Sequence, residues 1–426
     1  MTSKATLALS MIVKNEIQSL GRCLDSARGI VDEIVIADTG STDGTLELAR
    51  ARADRVIETP WNDSFAEARN VALSQVRADW VLWLDADEVL RSGSEMGLRK
   101  AISDIRAIAW QLPIHNHTSG DVRVHHMVRL FRRLEGVTFH GRLHEGVTES
   151  LEPIFASNPT FFGGRSRDVV IDHYGYEPDM MQARSKKDRN VRLLRLMLAE
   201  EPESPQILYD LARALETGDE SDQAVFKAAH LLMDLSRSGR GRIPVTPDVL
   251  TVAAQRWMQR GAIDQALRVC EMACAECEDH PATRLILGWA LLEMGEVAQA
   301  REHIERALSM PSPEAGFYYD VRDHAISGRI LRARALQKEG LENEALMDLK
   351  KLREQFQGAA RPVYALVEML SSGGKHMAAM REALAWMRDH PSDARCLALC
   401  ADVAEKLGEH ETAAAWRAKL VGPSVE

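Results

Sequence analysis

Residues Trp80–Leu90, WVLWLDADEVL, form an apolar run that ends in three carboxylates within four residues. Residues 81–84 carry the side chains of a strand buried on both faces, as in a parallel sheet. Asp85, Asp87 and Glu88 cannot follow them into such a core. Since α/β sheets bind ligands at the carboxyl ends of their strands, and acids at i and i+2 can share a divalent cation with a phosphate, we predict the chemical centre here.

The residues before this run alternate between strands and helices. The predicted strands are residues 6–13, 31–37, 55–58 and 79–84, and the helices between them are predicted to end near residues 26, 53 and 76. This order and spacing are typical of a parallel sheet with right-handed crossovers. From residue 108 to about 170 the pattern becomes irregular, with short strand-like pieces at residues 108–114 (IAWQLPI), 124–131 (VHHMVRLF) and 168–176 (DVVIDHYGY). Seven of the 14 histidines fall between His115 and His173.

After residue 178 amphipathic helices replace the strands. Turn glycines recur 34 residues apart, at Gly261 and Gly295 and again at Gly374 and Gly408. This period is typical of paired-helix repeats, which stack to bury a continuous core and leave a concave face. In the clearest copy, residues 281–313, the expected helix contacts are Leu287, Gly288, Ala300, Ile304 and Ala307, and the pattern resembles a tetratricopeptide repeat. We therefore predict two domains, residues 1–178 and 179–426.

The composition of the 426-residue chain is typical of a globular protein of two or three domains. No apolar run approaches the roughly 20 residues that cross a membrane, and charges precede any signal-peptide core, so the expected location is the cytoplasm. The net charge of -10 argues against general nucleic-acid binding, although Arg129, Arg132 and Arg133 could hold an anion. The six cysteines are expected to be buried and reduced rather than zinc ligands.

Four motifs in register carry a resemblance to a known family: SMIVKNE at Ser10–Glu16, DEIVIADTGSTDGT at Asp32–Thr45, FAEARN at Phe65–Asn70 and WLDADE at Trp83–Glu88. They resemble the family 2 glycosyltransferases, which implies a GT-A fold with a Rossmann-like, mainly parallel sheet. FHGRLHE and IDHYGY extend the resemblance more weakly to residue 178. With the following tetratricopeptide-like helices, the chain is similar to the bacterial subgroup that includes peptide S-glycosyltransferases. Its first half also resembles lipopolysaccharide-core glucosyltransferases.

The resemblance implies a role for each acid in a nucleotide-sugar site. Asp87, with Glu88 as an auxiliary, would hold Mn²⁺ or Mg²⁺ against the two phosphates of a UDP-sugar or a similar donor. Asp85 would bind the ribose, and Asp38 would accept the imide N–H of uracil or a comparable base edge. The family often has two adjacent acids at that turn, whereas this chain has Ala37 before Asp38, which leaves the base open.

Other residues near the strand ends are candidates for the same pocket. Lys14, Asn15 and Glu16 are predicted to line the nucleotide site, with an ordinary charged turn as the alternative. Arg69 would neutralise phosphate or hold Asp38 in place, with a surface arginine as the alternative.

The segment FHGRLHEGV, residues 139–147, comes where the family places its acceptor-side machinery. Inversion at the anomeric carbon needs a base on the face opposite to the departing phosphate, and a carboxylate suits a hydroxyl acceptor. Glu145 is the candidate base. His144 or His140 would complete the metal shell or position the acceptor, and His173 is an alternative metal ligand.

The predicted function is inverting, metal-dependent glycosyl transfer from a nucleotide-diphosphate sugar. The repeats favour a peptide or protein acceptor, or a protein partner that presents one, while a lipopolysaccharide-core or other envelope glycan is the alternative. A repeat scaffold with a weakly active first domain is a hypothesis from another class. A nucleotidyltransferase is disfavoured because no Gly-rich phosphate loop with a following lysine lies near the first strand. A homodimer remains open.

Overall fold

The computed structural model describes residues 5–118, 121–174, 180–238, 246–276, 280–311 and 321–421. Contacts between Cα atoms divide the chain into two compact units, Met1–Glu216 and Thr217–Glu426. The predicted boundary at residue 178 falls in segment 175–179, outside the described residues, so it remains a prediction.

The first unit begins with the predicted alternation of strands and helices. Its elements are β1 (Leu7–Val13), α1 (Leu20–Ala27), β2 (Glu33–Asp38), α2 (Thr45–Arg52), β3 (Arg55–Glu58), α3 (Phe65–Ser74) and β4 (Trp80–Trp83). Strand β1 pairs in parallel with β2 and β4, and β2 pairs in parallel with β3. The parallel sheet is therefore confirmed for these four strands.

The irregular region of the sequence forms the rest of a mixed sheet. It contains β5 (Glu88–Leu90), α4 (Ser94–Ser103), β6 (Ala107–Thr118), β7 (Asp121–Arg132), α5 (Thr148–Ser157), β8 (Phe162–Arg165) and β9 (Ile171–His173). The strand order is β3-β2-β1-β4-β7-β6-β9-β5, with β8 paired to β6. The β6–β7 hairpin is antiparallel and joins the sheet through β7 and β4. The strand-like pieces predicted at residues 108–114, 124–131 and 168–176 fall on β6, β7 and β9, so these strands are confirmed. The sequence did not predict their pairing.

Strand β4 is buried on both faces, as its sequence predicts. Leu82 belongs to the core cluster on one side of the sheet, and Val81 and Trp83 belong to the cluster on the other side. Beyond the strand burial alternates: the side chains of Asp85 and Asp87 are 41% and 25% exposed, whereas Glu88 is buried. The expectation that all three acids stay out of the core is therefore wrong for Glu88.

Two helices, α6 (Met180–Glu200) and α7 (Pro205–Leu215), complete the first unit. Ion pairs attach α6 to the residues around α3 and the 139–147 loop. Arg192 contacts Asp63, and Arg142 Nη2 lies 2.6 Å from Glu200 Oε1. The helix that directly follows the predicted domain boundary therefore packs with the α/β fold.

The second unit contains only helices among its described residues. They are α8 (Asp219–Arg237), α9 (Thr246–Gln259), α10 (Ile263–Glu276), α11 (Pro281–Met294), α12 (Val297–Ser309), α13 (Val321–Lys338), α14 (Glu342–Gln355), α15 (Ala360–Ser372), α16 (His376–Met387), α17 (Ala394–Lys406) and α18 (His410–Val421). In the clearest predicted repeat, a Cβ added to Gly288 would lie 2.6 Å from Ile304 Cγ1 and 3.1 Å from the Ala300 carbonyl oxygen. The predicted close contact of α11 and α12 is confirmed.

A cavity of about 840 Å³ lies within the second unit. Side chains from α9, α11, α13, α15 and α17 line it, so the first helix of each successive pair faces the cavity. Its arginines are paired with acids, as Arg361 is with Asp323 and Arg395 is with Glu368. The repeats thus form the concave face that their period predicts.

Cys23, Cys270, Cys396 and Cys400 are buried free cysteines. Cys277 lies outside the described residues. Within the described parts of the chain, no helix is both long and apolar enough to cross a membrane.

Candidate active site

The predicted site lies where three adjacent parallel strands end. From β1 the chain adds β2 and then β3 on one side of β1, and it then adds β4 on the other side of β1. Crevices of this kind are the usual ligand sites of open α/β sheets. Asp38 is the last residue of β2, and Asp85 follows β4 by two residues.

Asp38 is buried, with one oxygen engaged and the other without a partner. Oδ1 accepts hydrogen bonds from the backbone N–H groups of Gly40 and Ser41, both at 2.8 Å. Oδ2 is buried and has no hydrogen-bond partner within the described residues. Because a buried polar atom normally has a partner, this oxygen is a candidate ligand contact.

The loop after β1 is tied to the loop after β2. Asn15 accepts from the Thr42 N–H at 2.8 Å and donates its own N–H to Ser41 Oγ at 3.0 Å. The Glu16 N–H donates to Thr45 Oγ1 at 2.7 Å. Asn15 and Glu16 therefore brace the rim of the crevice.

Lys14 is exposed next to this brace. Burial raises the pKa of Glu16, and the negative charges of Asp87 and Asp85 raise it further against a hydrogen bond from Ser19. Glu16 therefore lies within the electrostatic field of the acidic run. Whether these residues also touch a nucleotide remains a prediction.

Arg69 joins the acidic run to the 139–147 loop. Its side chain is 3% exposed, its Nη2 contacts Asp85, and its Nε donates to Glu145 Oε1 at 2.6 Å. Burial opposes its charge, but Asp85 and Glu145 raise the pKa of Arg69 above its usual value. The surface-arginine alternative is wrong. In the described contacts Arg69 holds Asp85 and Glu145 rather than Asp38.

Asp85 also contacts a second buried arginine. Arg129 Nη2 lies 3.3 Å from Asp85 Oδ2. Burial favours the neutral acid, but Arg69 and Arg129 together hold the pKa of Asp85 well below its usual range. Asp85 is therefore an ionised carboxylate that is still partly open to solvent.

Glu88, the predicted auxiliary metal ligand, has both carboxylate oxygens engaged. Oε1 accepts from Arg129 Nη2 at 2.7 Å, and Oε2 accepts from the Asp85 N–H at 2.8 Å. Burial raises the pKa of Glu88 to about 7, although Arg129 opposes the shift. Glu88 therefore braces the acidic turn from inside the fold, where both of its oxygens already accept hydrogen bonds.

Trp83 supports both arginines with its ring. The guanidinium carbon of Arg129 lies 3.6 Å from a Trp83 ring centroid, and that of Arg69 lies 4.2 Å away. Cation–π attraction of this kind orients a buried guanidinium. The indole N–H donates to the Val128 carbonyl at 2.8 Å, so the ring itself is fixed. The sequence pointed to Arg129 only as part of a basic cluster, since its acidic partners lie on other strands.

Asn70, the neighbour of Arg69, holds the loop that carries Glu145. Its side chain accepts from the Phe139 N–H at 2.8 Å and donates to the Phe139 carbonyl at 2.9 Å. His140 and Gly146 then exchange two backbone hydrogen bonds, of 2.8 and 3.1 Å, which close the loop. The FAEARN motif therefore contains two adjacent residues that fix the candidate base, and sequence reasoning missed Asn70.

The two histidines of this loop do not join the acidic run in the described contacts. His144 is exposed and has a positive φ of 57°. His140 Nε2 lies 2.9 Å from Ser150 Oγ. The structure therefore brings Glu145 to Arg69, while the metal and acceptor roles predicted for His144 remain untested.

His173 lies beside Asp87. Strands β5 and β9 are antiparallel and pair Glu88 with His173, which brings His173 Nε2 to 3.2 Å from Asp87 Oδ2. The hydrogen bond to Asp87 raises the pKa of His173 against the opposing effect of burial. No group of three or more possible side-chain ligands occurs among the residues that the structure describes. Asp87 and His173 contact each other, and their roles as metal ligands remain predictions.

Comparison with known proteins assigns the family. Residues 9–157 match the model for glycosyl transferase family 2. A TPR repeat-containing protein of Synechococcus elongatus is 32% identical over 277 residues, which are 65% of this chain and 67% of that protein. The chain belongs to glycosyl transferase family 2 and is a glycosyltransferase, with tetratricopeptide-like helices after its catalytic domain. The predicted family and two-part fold are confirmed.

Two further relatives match over shorter parts of their length. The glycosyltransferase SunS of Bacillus subtilis, which derives from prophage SPbeta, is 26% identical over 52% of this chain and 51% of that protein. The lipopolysaccharide core biosynthesis glycosyltransferase LpsC of Rhizobium meliloti is 31% identical over 34% of this chain and 58% of that protein. Among solved structures, a tetratricopeptide repeat protein of Parabacteroides merdae covers 58% of this chain at 14% identity, with a TM-score of 0.44.

Proposed function

We propose that this protein is an inverting, metal-dependent glycosyltransferase that takes its sugar from a nucleotide-diphosphate donor such as a UDP-sugar. The observation that carries the proposal is the convergence of Asp38, Asp85 and Asp87 at the carboxyl edge of the sheet, with Arg69 joining Asp85 to Glu145. A donor bound along this edge would have its base at one end and its sugar beside a carboxylate.

The nucleoside would be recognised by two acids with different surroundings. Asp38 offers the buried Oδ2, which has no partner among the described residues and would accept an imide N–H of the base. Asp85 is held ionised by two arginines and is 41% exposed, so it would accept hydrogen bonds from the ribose hydroxyls. A hydrogen bond to a charged group contributes about 1.5–3 kcal/mol.

Asp87 and His173 would hold the divalent cation. A carboxylate oxygen and an imidazole nitrogen are both ligands for Mn²⁺, and an ion bound by few protein groups completes its shell with water and substrate phosphate. When bound, the cation stabilises the negative charge that develops on the leaving diphosphate. The fit rests on the 3.2 Å approach of the two side chains.

Glu145 would act as the general base. Arg69 holds its Oε1 and so directs the carboxylate, which leaves Oε2 to accept the acceptor proton as the new glycosidic bond forms. Because the same guanidinium holds Asp85, the base is fixed relative to the donor nucleoside. This is the positioning that inversion requires, since the acceptor must approach opposite to the leaving diphosphate.

The acceptor is proposed to be a peptide or protein. The repeats of the second unit and their cavity of about 840 Å³ support this choice, as does the similarity to a TPR repeat-containing protein. The similarity to LpsC favours a cell-envelope glycan as the second candidate. The free cysteines fit a reducing compartment, which supports a cytoplasmic location.

The test is a panel of nucleotide sugars incubated with the full chain and Mn²⁺, scored for release of nucleoside diphosphate. Release from one donor supports the transferase and names the sugar. Release of pyrophosphate from a nucleoside triphosphate and a sugar phosphate would instead indicate a nucleotidyltransferase. Binding of a nucleotide sugar without turnover, with peptide and glycan acceptors present, would favour a scaffold.

A further inference from the structure

A series of hydrogen-bonded polar side chains leads from the candidate metal site into the sheet. His173 Nδ1 lies 2.7 Å from Asn116 Oδ1, and Asn116 Nδ2 lies 2.8 Å from His125 Nδ1. At the other end of the series, His173 Nε2 lies 3.2 Å from Asp87 Oδ2. Four side chains from β6, β7, β9 and the acidic turn are thus linked in series.

The sheet register places Asn116 between the two histidines. Asn116 on β6 pairs directly with His173 on the parallel strand β9. His125 lies on β7, the antiparallel neighbour on the other side of β6. Because β6 is hydrogen-bonded to strands on both sides, the Asn116 side chain has a fixed origin from which to reach each histidine.

The neighbours of Asn116 along β6 serve a different network. His117 Nε2 lies 2.8 Å from Asp172 Oδ1, and His115 Nδ1 lies 3.1 Å from Arg91 Nη2. Successive side chains of a strand point to opposite faces of the sheet. Asn116 is therefore directed to the metal-site face alone, while the adjacent histidines bind the Arg91–Asp172 pair.

The amide of Asn116 has one arrangement that satisfies both histidines. Its oxygen can only accept, so His173 must carry a proton on Nδ1. Its nitrogen can only donate, so His125 must accept at Nδ1. The Asp87 carboxylate can also only accept, so Nε2 donates to it in this structure. A cation beside Asp87 would displace that proton and bind the Nε2 lone pair, while the proton on Nδ1 stays with Asn116.

We infer that Asn116 is a positioning residue that fixes the tautomer and ring direction of His173 for divalent-cation binding, with His125 holding the Asn116 amide in place. The inference rests on the proposed metal site and extends it to two residues that touch neither cation nor substrate. Metal-bound histidines usually donate their second ring N–H to an oxygen acceptor of this kind.

The test is Mn²⁺ titration of the full chain followed by electron paramagnetic resonance, alone and with UDP. In Asn116→Ala we expect affinity to fall about 10- to 100-fold, because the ring loses its oxygen acceptor. Asn116→Asp keeps an oxygen facing His173 Nδ1 and should stay within about threefold of wild type by the same reasoning. His126→Ala, the next residue of β7 but outside this chain of contacts, serves as the matched control and should bind as wild type does.

The outcomes separate this inference from the function on which it rests. No Mn²⁺ binding by wild type, with or without UDP, removes the metal site itself. Wild-type binding that survives in Asn116→Ala overturns the role of Asn116. Equal weakening in Asn116→Ala and Asn116→Asp also overturns it, since loss of the acceptor would then not be the cause. If Asn116→Ala does not fold, His125→Ala tests the same series, and unchanged Mn²⁺ affinity there overturns the part assigned to His125.

Discussion

Nε of Arg69 donates to Oε1 of Glu145 at 2.6 Å, across 76 residues of sequence. The same side chain contacts Asp85 through Nη2. One buried guanidinium therefore links the acidic turn after β4 to the loop that carries the candidate base. The geometry of the proposed reaction depends on this link, because it sets where the base lies relative to the donor.

For Arg69→Lys we expect transfer to fall about 10- to 100-fold, since an ammonium lacks the planar fork that contacts both carboxylates at once. Nucleoside diphosphate binding should weaken less, because Asp38 is untouched. The measurement is donor turnover beside calorimetric binding of the diphosphate. Arg192→Lys, at a surface ion pair with Asp63, is the matched control. Wild-type turnover in Arg69→Lys would contradict the linking role.

Glu145→Gln keeps the size of the side chain and removes its capacity to accept a proton. We expect donor binding to persist and transfer to slow about 10²- to 10⁴-fold, the usual contribution of a general base. Glu149→Gln, at an exposed acid on the following helix, should transfer normally. If Glu145→Gln transfers and hydrolyses donor at wild-type rates, the base lies elsewhere.

Asp87→Ala should abolish Mn²⁺-dependent nucleotide binding and turnover while leaving the fold intact. The side chain contacts His173 at the site edge, so its loss leaves no buried cavity. Circular dichroism checks the fold, and calorimetry with and without Mn²⁺ checks binding. Asp168→Ala, at an exposed acid paired only loosely with Lys100, is the control. Transfer that continues in Asp87→Ala would remove the metal assignment.

Asp38→Asn tests the base contact. The remaining oxygen must still accept from Gly40 and Ser41, so the new amide nitrogen would replace the unpartnered Oδ2. A donor there would face the imide N–H of uracil, and one such mismatch costs about 1–3 kcal/mol. We expect UDP affinity to fall about 5- to 150-fold, with a smaller change for a base that offers an acceptor. Equal losses for every nucleoside diphosphate would contradict recognition of the base by Asp38.

Asn70→Ala removes both hydrogen bonds to the Phe139 backbone. We expect the free energy of unfolding to fall by about 1–3 kcal/mol and transfer to fall while donor binding persists. Urea unfolding and turnover at low temperature measure the two effects. Loss of donor binding in step with transfer would mean that Asn70 supports the whole domain rather than the base loop.

The sequence predicts the first four strands well because each is a continuous apolar run followed by a polar turn. It indicates β6 and β7 as strand-like pieces but does not predict how they pair, nor that His115, Asn116 and His125 face other polar side chains. Their partners lie on neighbouring strands, and one sequence without the sheet register gives no sign of the pairing.

The candidate site was likewise predicted from the sequence only in part. Asp38 and Asp87 were predicted from their place after buried strands, and both lie at the sheet edge. The family resemblance implies Glu88 only as an auxiliary metal ligand, and its side chain turns inward to Arg129. Arg129 lies 41 residues from Glu88 in the sequence. The pairing of β7 with β4 brings Arg129 to the acidic turn.

The proposed metal-dependent nucleotide-sugar site is tested most simply by nucleoside diphosphate release from a panel of nucleotide sugars. Release is measured for wild type with Mn²⁺, for wild type with EDTA, and for Asp87→Ala with Mn²⁺. We predict release from one nucleotide sugar by wild type with Mn²⁺ alone, and none in the other two conditions. Equal release in all three conditions would contradict a metal-dependent nucleotide-sugar site at Asp38, Asp85 and Asp87. The same holds if wild type neither binds nor cleaves any nucleotide sugar.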